Sequence, residues 1–182
     1  MSSRISTIAN LDKICRKLYS RLMKVQGFQP FANADARILI MGSFPSVKSR
    51  ECNFYYGHPQ NRFWKTLAEF FGDIMPVSVA EKKEFALRHG IALWDIVTEC
   101  EITGSQDSTI KNYSVADVPS IMKNTDIKRI LLNGKTAGKL FLDNFPEYAT
   151  LSKIMPSTSP ANPRFDKSVW FQALALSNPL SQ

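Results

Sequence analysis

The sequence predicts an α/β fold: a three-layer α/β/α sandwich around a short, mainly parallel, four-stranded central sheet. Short apolar runs alternate with segments of helical periodicity along the chain, which is typical of a parallel sheet covered by helices on both faces. The length of 182 residues fits one hydrophobic core, and the 44% hydrophobic content is sufficient to fill it. We therefore expect a single domain over residues 1–182, with residues 10–27 as a basic N-terminal extension.

Four short apolar segments are the predicted strands of this sheet. The first, residues 37–41, is rich in β-branched side chains and ends at Gly42, as a buried parallel strand does. The others are residues 91–97, 128–132 and 151–155, of which the last has the weakest pattern.

Six segments have apolar residues at the spacing of an amphipathic helix. They are residues 10–27, 61–71, 79–89, 114–124, 136–145 and 168–176. Gly72 and Gly90 predict the ends of the second and third helices, and Ser114 with Asp117 resembles the N-terminal cap of the fourth. The polar residues 98–113 predict a long loop above a strand end, where α/β proteins place their sites.

The charge of the chain favours an anionic partner such as nucleic acid. The sequence has 23 Lys and Arg against 16 Asp and Glu, for a net charge of +7 and a pI near 9.4. The predicted helix over residues 10–27 carries a basic stripe of Lys13, Arg16, Lys17, Arg21 and Lys24. This stripe either contacts phosphates or is a solvated helix face.

The sequence predicts neither a cofactor nor a metal site. Its three cysteines and two histidines do not share metal-ligand spacing, so we expect no metal, no cofactor and no disulfide framework. No apolar run approaches the roughly 18 residues that span a bilayer, and the N-terminus lacks the apolar region of a secretory signal. We expect no membrane association and a cytoplasmic location, at the nucleoid if the source is bacterial.

Three polar segments follow predicted strands, at residues 42–64, 104–108 and 156–163. Because the carboxyl ends of parallel strands lie along one edge of a sheet, we expect these segments to meet in one cleft. Their glycines lack the spacing of a phosphate-binding loop or a dinucleotide fingerprint. The predicted cleft therefore belongs to another class of site.

The same segments contain four motifs that resemble those of the uracil-DNA glycosylase superfamily. They read G-S-x-P at residues 42–45, Y-x-H-P-x-N-x-F-W at 56–64, G-S-x-D-S at 104–108 and P-S-T-S-P-A-N at 156–162. The branch of hypoxanthine-DNA (DNA-deoxyinosine) glycosylases is the most similar. The resemblance implies a monofunctional enzyme of base excision repair that flips a deaminated base, above all hypoxanthine, out of double-stranded DNA and hydrolyses its N-glycosidic bond. It also implies a monomer without an obligate protein partner.

The resemblance assigns catalysis to Asn61. The mismatch-specific branch has a catalytic Asn at the position of Phe44, whose side chain cannot hold water, so the Asn of the H-P-x-N-x-F-W segment takes this role. An Asn amide can hold the attacking water, and positioning then replaces strong base catalysis. Taken alone, Asn61 at a helix start also fits a simple N-cap.

The remaining predicted contacts concern the flipped base and the DNA backbone. The predicted base-binding residues are Gly42, Ser43, Phe44, Tyr55 and Tyr56. Tyr56 supplies the stacking face, worth roughly 1–3 kcal/mol per base, whereas Tyr55 either joins it or packs in the core. The predicted DNA-binding residues, which pinch phosphates or fill the gap left by a flipped nucleotide, are Ser49, Ser157, Thr158, Ser159, Pro160, Ala161 and Asn162. Further candidates without an assigned role are His58, Ser105, Asp107 and Ser108.

Two alternatives stay open at this point. One is a glycosylase for uracil or mismatched thymine, and the other is a non-catalytic DNA- or nucleotide-binding module that uses the same sheet edge. Lys48 is the only lysine within the three segments, and the family pattern does not mark it as a lyase nucleophile. Turnover separates these functions, because a glycosylase leaves alkali-labile abasic sites and a binding module does not.

Overall fold

The computed structural model describes residues 24–176 and confirms the predicted α/β class. Its strands are β1 (Val25–Gln26), β2 (Ile38–Gly42), β3 (Ile91–Asp95), β4 (Val97–Glu101), β5 (Lys111–Val115), β6 (Arg129–Asn133) and β7 (Ser152–Met155). Its α-helices are α1 (Val47–Glu51), α2 (Phe63–Phe71), α3 (Val79–Arg88), α4 (Val118–Lys123), α5 (Lys135–Asn144) and α6 (Lys167–Ala175), and its 3₁₀ helices are Asp107–Thr109 and Pro146–Leu151. None of the helices in this part of the chain is long and apolar enough to cross a membrane.

Four parallel strands form the central sheet, in the order β3-β2-β6-β7. Successive residues of β2 point to opposite faces: Ile38 and Ile40 join a core with α2, α3 and α6, whereas Leu39 and Met41 join a core with α4 and α5. All residues of β2 are buried, which explains why this segment is apolar without alternation. The helices on both faces make the predicted three-layer sandwich.

Helices α2, α3, α5 and α6 begin and end within two residues of the predicted bounds. Gly72 ends α2 with a left-handed backbone, φ 63°, a conformation that glycine adopts without a steric penalty. Ser78 and Glu81 start α3 with a reciprocal capping box. These local signals are strong enough to fix helix ends from sequence.

The predictions for residues 91–113 are wrong in two respects. Residues 91–97 are not one strand, because β3 ends at Asp95 and β4, which begins at Val97, belongs to a different sheet. Residues 98–113 are not one long loop, because β4 pairs with antiparallel β1 and β5 in a second, three-stranded sheet. The side chains of β5 are exposed along its whole length, so this segment lacks the apolar pattern of a strand.

The helix predicted over residues 114–124 begins later. Ser114 lies in β5, which pairs with β4, and is therefore unavailable as a cap. The cap of α4 is Asp117, whose carboxylate accepts a hydrogen bond from the Ser120 N–H at 3.0 Å. The prediction is wrong for the first turn and correct for the remainder.

The helix predicted over residues 10–27 does not reach its predicted end. Val25 and Gln26 form β1, in which Val25 pairs with Cys100 of β4. Lys24 of the basic stripe lies 2.7 Å from the Glu99 carboxylate, so it is paired within the protein. Residues 10–23, with the rest of the stripe, lie outside the described residues, so the helix and its role as an extension stay predictions.

Candidate active site

The carboxyl ends of the four parallel strands surround one cavity of about 150 Å³. Gly42 ends β2, Asp95 ends β3 and Asn133 ends β6, and the chain after β7 adds residues 157–159. Each of the four sequence motifs contributes lining residues. The predicted meeting of distant segments at this sheet edge is therefore observed.

Gly42 lies on the floor of the cavity, the part formed together with Asp95 and Tyr56. A Cβ atom at this position would lie 2.5 Å from Asp95 Oδ1 and 3.6 Å from the Tyr56 hydroxyl. The first distance is far below a van der Waals contact, so any larger residue would displace the carboxyl group. The glycine of the G-S-x-P motif thus leaves room for the Asp95 carboxyl group at the floor.

Ser43 and Phe44 form the wall that follows Gly42. The Ser43 hydroxyl donates a hydrogen bond to Asp107 Oδ2 at 2.7 Å. Phe44 is buried and packs with Val97, and the Arg50 guanidinium carbon lies 5.6 Å from the centroid of its ring. This wall is polar at Ser43 and apolar at Phe44.

Asn61 lines the cavity immediately before α2. Its Oδ1 accepts a hydrogen bond from the Phe63 N–H at 3.0 Å, and its own N–H donates to the His58 carbonyl oxygen at 2.8 Å. The side chain therefore caps the first N–H of α2, although the N-cap position itself is Arg62 and not Asn61. The cap also fixes the amide at the cavity wall, and the second lone pair of Oδ1 can still accept a hydrogen bond.

The two adjacent tyrosines have different surroundings. Tyr55 is buried in the core, and its hydroxyl donates to the Gln29 carbonyl oxygen at 2.8 Å. Tyr56 has a left-handed backbone, φ 52°, and its ring stacks on Phe63 with the centroids 3.7 Å apart. Burial, followed by the charge of Asp95, raises the pKa of Tyr56 beyond the physiological range, so its hydroxyl stays neutral.

Two carboxyl groups, Asp95 and Asp107, face the same cavity. Asp95 is only 4% exposed, and burial, reinforced by the charge of Asp107, raises its pKa to about 7. Asp107 is half-buried; burial raises its pKa as well, while the hydrogen bond from Ser43 opposes the shift. Asp95 was not predicted as a site residue. Its signal was an acidic residue inside the apolar run of residues 91–97.

Asn133 holds the loop over residues 157–162, which we name the wedge loop. Its Nδ2 donates to Thr158 Oγ1 and its Oδ1 accepts from the Thr158 N–H, each at 2.9 Å. Thr158 is fully buried, so its hydroxyl faces Asn133 and is not presented to a phosphate, contrary to the prediction. Asn133 was also missed from sequence, where it only marked a strand end.

Arg62 is a second missed residue that supports the wedge loop. Its guanidinium donates to the carbonyl oxygens of Ser159 and Asn162, the latter at 2.8 Å, and lies 4.4 Å from the Phe165 ring centroid. Its backbone N–H donates to the Thr158 carbonyl oxygen at 3.1 Å. The wedge loop is therefore anchored to the start of α2.

The exposed part of the wedge loop is its tip. Pro160 and Ala161 are exposed, whereas Asn162 is half-buried and donates from Nδ2 to the Ser157 carbonyl oxygen at 2.9 Å. Ser157 and Ser159 line both the cavity and a larger depression beside it, which Ala161 and Asn162 also line. The tip is thus presented outward from a rigid base.

Three other predicted residues have mainly structural contacts. Ser49 is buried, and its hydroxyl accepts from the Gly57 N–H at 3.0 Å. Contrary to the prediction, this hydroxyl is therefore not presented to DNA. Ser105 lines the cavity and accepts from the Val47 N–H at 2.9 Å. His58 Nδ1 accepts from the Gln60 N–H at 3.1 Å within its turn.

Ser108 lies in the 3₁₀ helix Asp107–Thr109 and does not line the cavity. Across residues 24–176, no group of three or more His, Cys, Asp or Glu side chains is arranged to hold a metal ion.

Comparisons with known proteins agree with this geometry. The chain matches the family model of the uracil DNA glycosylase superfamily over residues 29–177. It is 35% identical over 149 residues to hypoxanthine DNA glycosylase of Methanosarcina barkeri, covering 80% of this chain and 93% of that protein. For the protein of the same name from Methanosarcina acetivorans, the identity is 34% over 152 residues, covering 79% and 91%.

A solved structure is also similar. It is the solution NMR structure of a candidate uracil DNA glycosylase from Methanosarcina acetivorans, with a TM-score of 0.73 and 29% identity. The match covers 84% of this chain and 97% of that one. Fold and relatives together define a DNA glycosylase. The chain belongs to the uracil DNA glycosylase superfamily.

Proposed function

We propose that the protein excises hypoxanthine from deoxyinosine in DNA, as a monofunctional glycosylase of base excision repair. The observation that carries this proposal is the meeting of all four motifs around one cavity at the edge of the parallel sheet. The two Methanosarcina relatives named hypoxanthine DNA glycosylase favour this substrate over uracil or mispaired thymine.

The reaction breaks the bond between C1′ of the deoxyribose and a nitrogen of the base, and it consumes one water. The electron pair of the bond leaves with the base, so positive charge develops on the sugar and negative charge on the base. We assign the positioning of the water to Asn61, because its amide is fixed at the cavity wall by the bond to the Phe63 N–H. This role uses the oxygen lone pair that the helix cap leaves available.

The walls of the cavity suit a flat heterocycle. Tyr56, supported from behind by Phe63, gives a rigid aromatic surface on which the flipped base stacks. Phe44 provides an apolar wall, and the backbone N–H groups around Ser43 and Phe44 bind the base as negative charge develops on it. The Tyr55 hydroxyl is already paired with the Gln29 carbonyl oxygen, so we assign Tyr55 a supporting role in the core and no contact with the base.

The wedge loop is the proposed contact with double-stranded DNA. Its exposed tip, Pro160 and Ala161, fills the gap that the flipped nucleotide leaves. Lys135 and Arg164 line the neighbouring depression with Ser157, so cations lie where the phosphates of the strand would pass. We expect the enzyme to act as a monomer, since one chain contains every group that the mechanism uses. We also expect a cytoplasmic location.

Single-turnover excision from a set of matched duplexes tests the proposal. Each duplex carries one deoxyinosine, deoxyuridine, deoxyxanthosine or T·G mispair, and abasic sites are detected by alkaline cleavage. We expect the fastest release from deoxyinosine. Faster release of uracil or thymine would show that one of these bases, and not hypoxanthine, is the preferred substrate. Tight binding to every duplex without any abasic site would instead support a non-catalytic binding module.

A further inference from the structure

Two buried polar atoms on the cavity floor have no hydrogen-bond partner among the described residues. They are Asp95 Oδ2 and the Tyr56 hydroxyl oxygen, whose interaction with the Asn133 side chain falls short of hydrogen-bond geometry. Buried polar atoms are nearly always paired, because leaving one unpaired costs about 1–3 kcal/mol. Both residues line the cavity of the proposed active site, so a ligand in that cavity could pair them.

Both groups lie against the backbone at Gly42. A Cβ atom there would lie 2.5 Å from Asp95 Oδ1 and 3.6 Å from the Tyr56 hydroxyl, so the absence of a side chain at Gly42 leaves room for the carboxyl group. Gly42 and Asp95 line the cavity together, which places the carboxyl group at its floor. Its unpaired state contrasts with Asp107, whose Oδ2 already accepts from the Ser43 hydroxyl at 2.7 Å.

We propose that Asp95 is a further catalytic residue: as a carboxylic acid it hydrogen-bonds the flipped base and protonates it while the glycosidic bond breaks. This inference rests on the proposed glycosylase function and adds an acid to it. A purine presents acceptor atoms on its edge, and one of these can receive the hydrogen of the Asp95 carboxylic acid.

The proton and electron balance of the step closes without a co-reactant. Asp95 gives its proton to the base, and the electron pair of the broken bond goes to the base nitrogen. Water adds to C1′ of the sugar and loses one proton, which returns the Asp95 carboxylate to its acid form. One water is consumed, and the products are the neutral base and an abasic sugar.

The surroundings of Asp95 hold it in the acid form near neutral pH. Burial is the main cause, and the charge of Asp107 on the adjoining loop adds to it, giving a pKa of about 7. The other titratable groups that interact with Asp95 are Tyr55 and Tyr56, which burial keeps neutral. The acid therefore loses its proton within the pH range in which enzymes are assayed.

Single-turnover excision from a deoxyinosine duplex, measured between about pH 5 and 9, tests this role in three proteins. We expect the wild-type rate to fall as the pH rises through 7. Asp95→Asn should lose roughly a hundredfold in rate below pH 7 and have a flat profile, because the amide cannot donate an acidic proton. Asp73→Asn, which alters a surface pair with Arg88, should keep the wild-type rate and profile.

The outcomes separate this inference from the proposed function. Wild-type excision together with an Asp95→Asn variant of unchanged rate and profile would overturn the inference and leave the glycosylase assignment intact. Absence of wild-type excision from every lesion would overturn the proposed function itself.

If Asp95→Asn fails to fold, the wild type alone provides the test. The ¹³C carboxyl resonance of Asp95 should titrate with the same midpoint as the excision rate, and differing midpoints would refute the role.

Discussion

The wedge loop and the cavity floor hold their buried polar groups in different ways. In the wedge loop, Thr158 is paired with Asn133 through its backbone and its side chain, and Arg62 binds neighbouring carbonyl oxygens. On the floor, Asp95 Oδ2 and the Tyr56 hydroxyl are unpaired among the described residues. In the proposed function, the wedge loop is the rigid element that engages the DNA, and the unpaired Asp95 carboxyl group on the floor is available to the base.

The largest expected effect concerns Asn61, which lines the wall of the cavity. Asn61→Ala should reduce single-turnover excision about a hundredfold or more, because the water loses its positioning group. Binding to a deoxyinosine duplex should stay within about threefold, since Asn61 contacts no phosphate in the proposed complex. Rapid-quench assays and fluorescence anisotropy measure the two quantities. Near-normal excision by a folded variant would move the role to Asp107 or His58.

The next effect tests the rigidity of the wedge loop. Arg62→Ala removes the guanidinium that binds the carbonyl oxygens of Ser159 and Asn162, so the free energy of unfolding should fall by roughly 1–3 kcal/mol. DNA affinity should fall with it, by about tenfold. Arg88→Ala is the control, because its exposed pair with Asp73 is worth about 0–1 kcal/mol. Equal losses for the two variants in urea unfolding would contradict the anchoring role.

The raised pKa of Asp95 on the cavity floor predicts how stability changes with pH. The folded-state pKa of Asp95 is raised from 3.8 to about 7, so the folded protein keeps a proton that the unfolded chain releases in this interval. Stability should therefore fall as the pH rises from about 4 to about 7, by at most ~1.4 kcal/mol per pH unit from this group, and then level off. Urea unfolding of Asp95→Asn should lack that component, whereas parallel wild-type and variant curves would contradict a raised pKa.

The smallest effect distinguishes support of the wedge loop from direct DNA contact. Thr158→Val removes the hydroxyl that Asn133 contacts, and stability should fall by about 1–2 kcal/mol. The slope of log affinity against log salt should not change, because the hydroxyl faces inward. Lys135→Ala should reduce that slope by about one unit if this lysine contacts a phosphate. A reduced slope for Thr158→Val would restore the phosphate contact predicted from sequence.

Much of the fold could be predicted because the signals are local. Strand β2 is an uninterrupted apolar run, and α2 ends at a glycine with a left-handed backbone. The topology rule for parallel strands then brings the motifs to one edge without knowledge of any distance. The exposed strand β5 has no such local signal, and it was missed.

The site was predicted less completely because its supporting contacts are long-range. Arg62 binds the carbonyl oxygen of Ser159, which is 97 residues away in sequence, and this partnership has no local pattern. Asp95 is one acidic residue at the end of an apolar strand, where a solvent-exposed strand end is the more ordinary interpretation. Its burial, at 4% exposure, and its proximity to Asp107 are set by the tertiary structure, which brings residues 12 apart in sequence to one cavity.

The central claim is that the cavity receives the flipped base and that its floor pairs with it. A crystal structure of Asn61→Ala bound to a deoxyinosine duplex tests this most directly, because the variant should bind without turnover. We predict hypoxanthine in the cavity, stacked on Tyr56, with an edge atom about 3 Å from the Asp95 carboxyl group. A nucleotide that stays stacked in the duplex, or a base bound away from Asp95, would contradict the account.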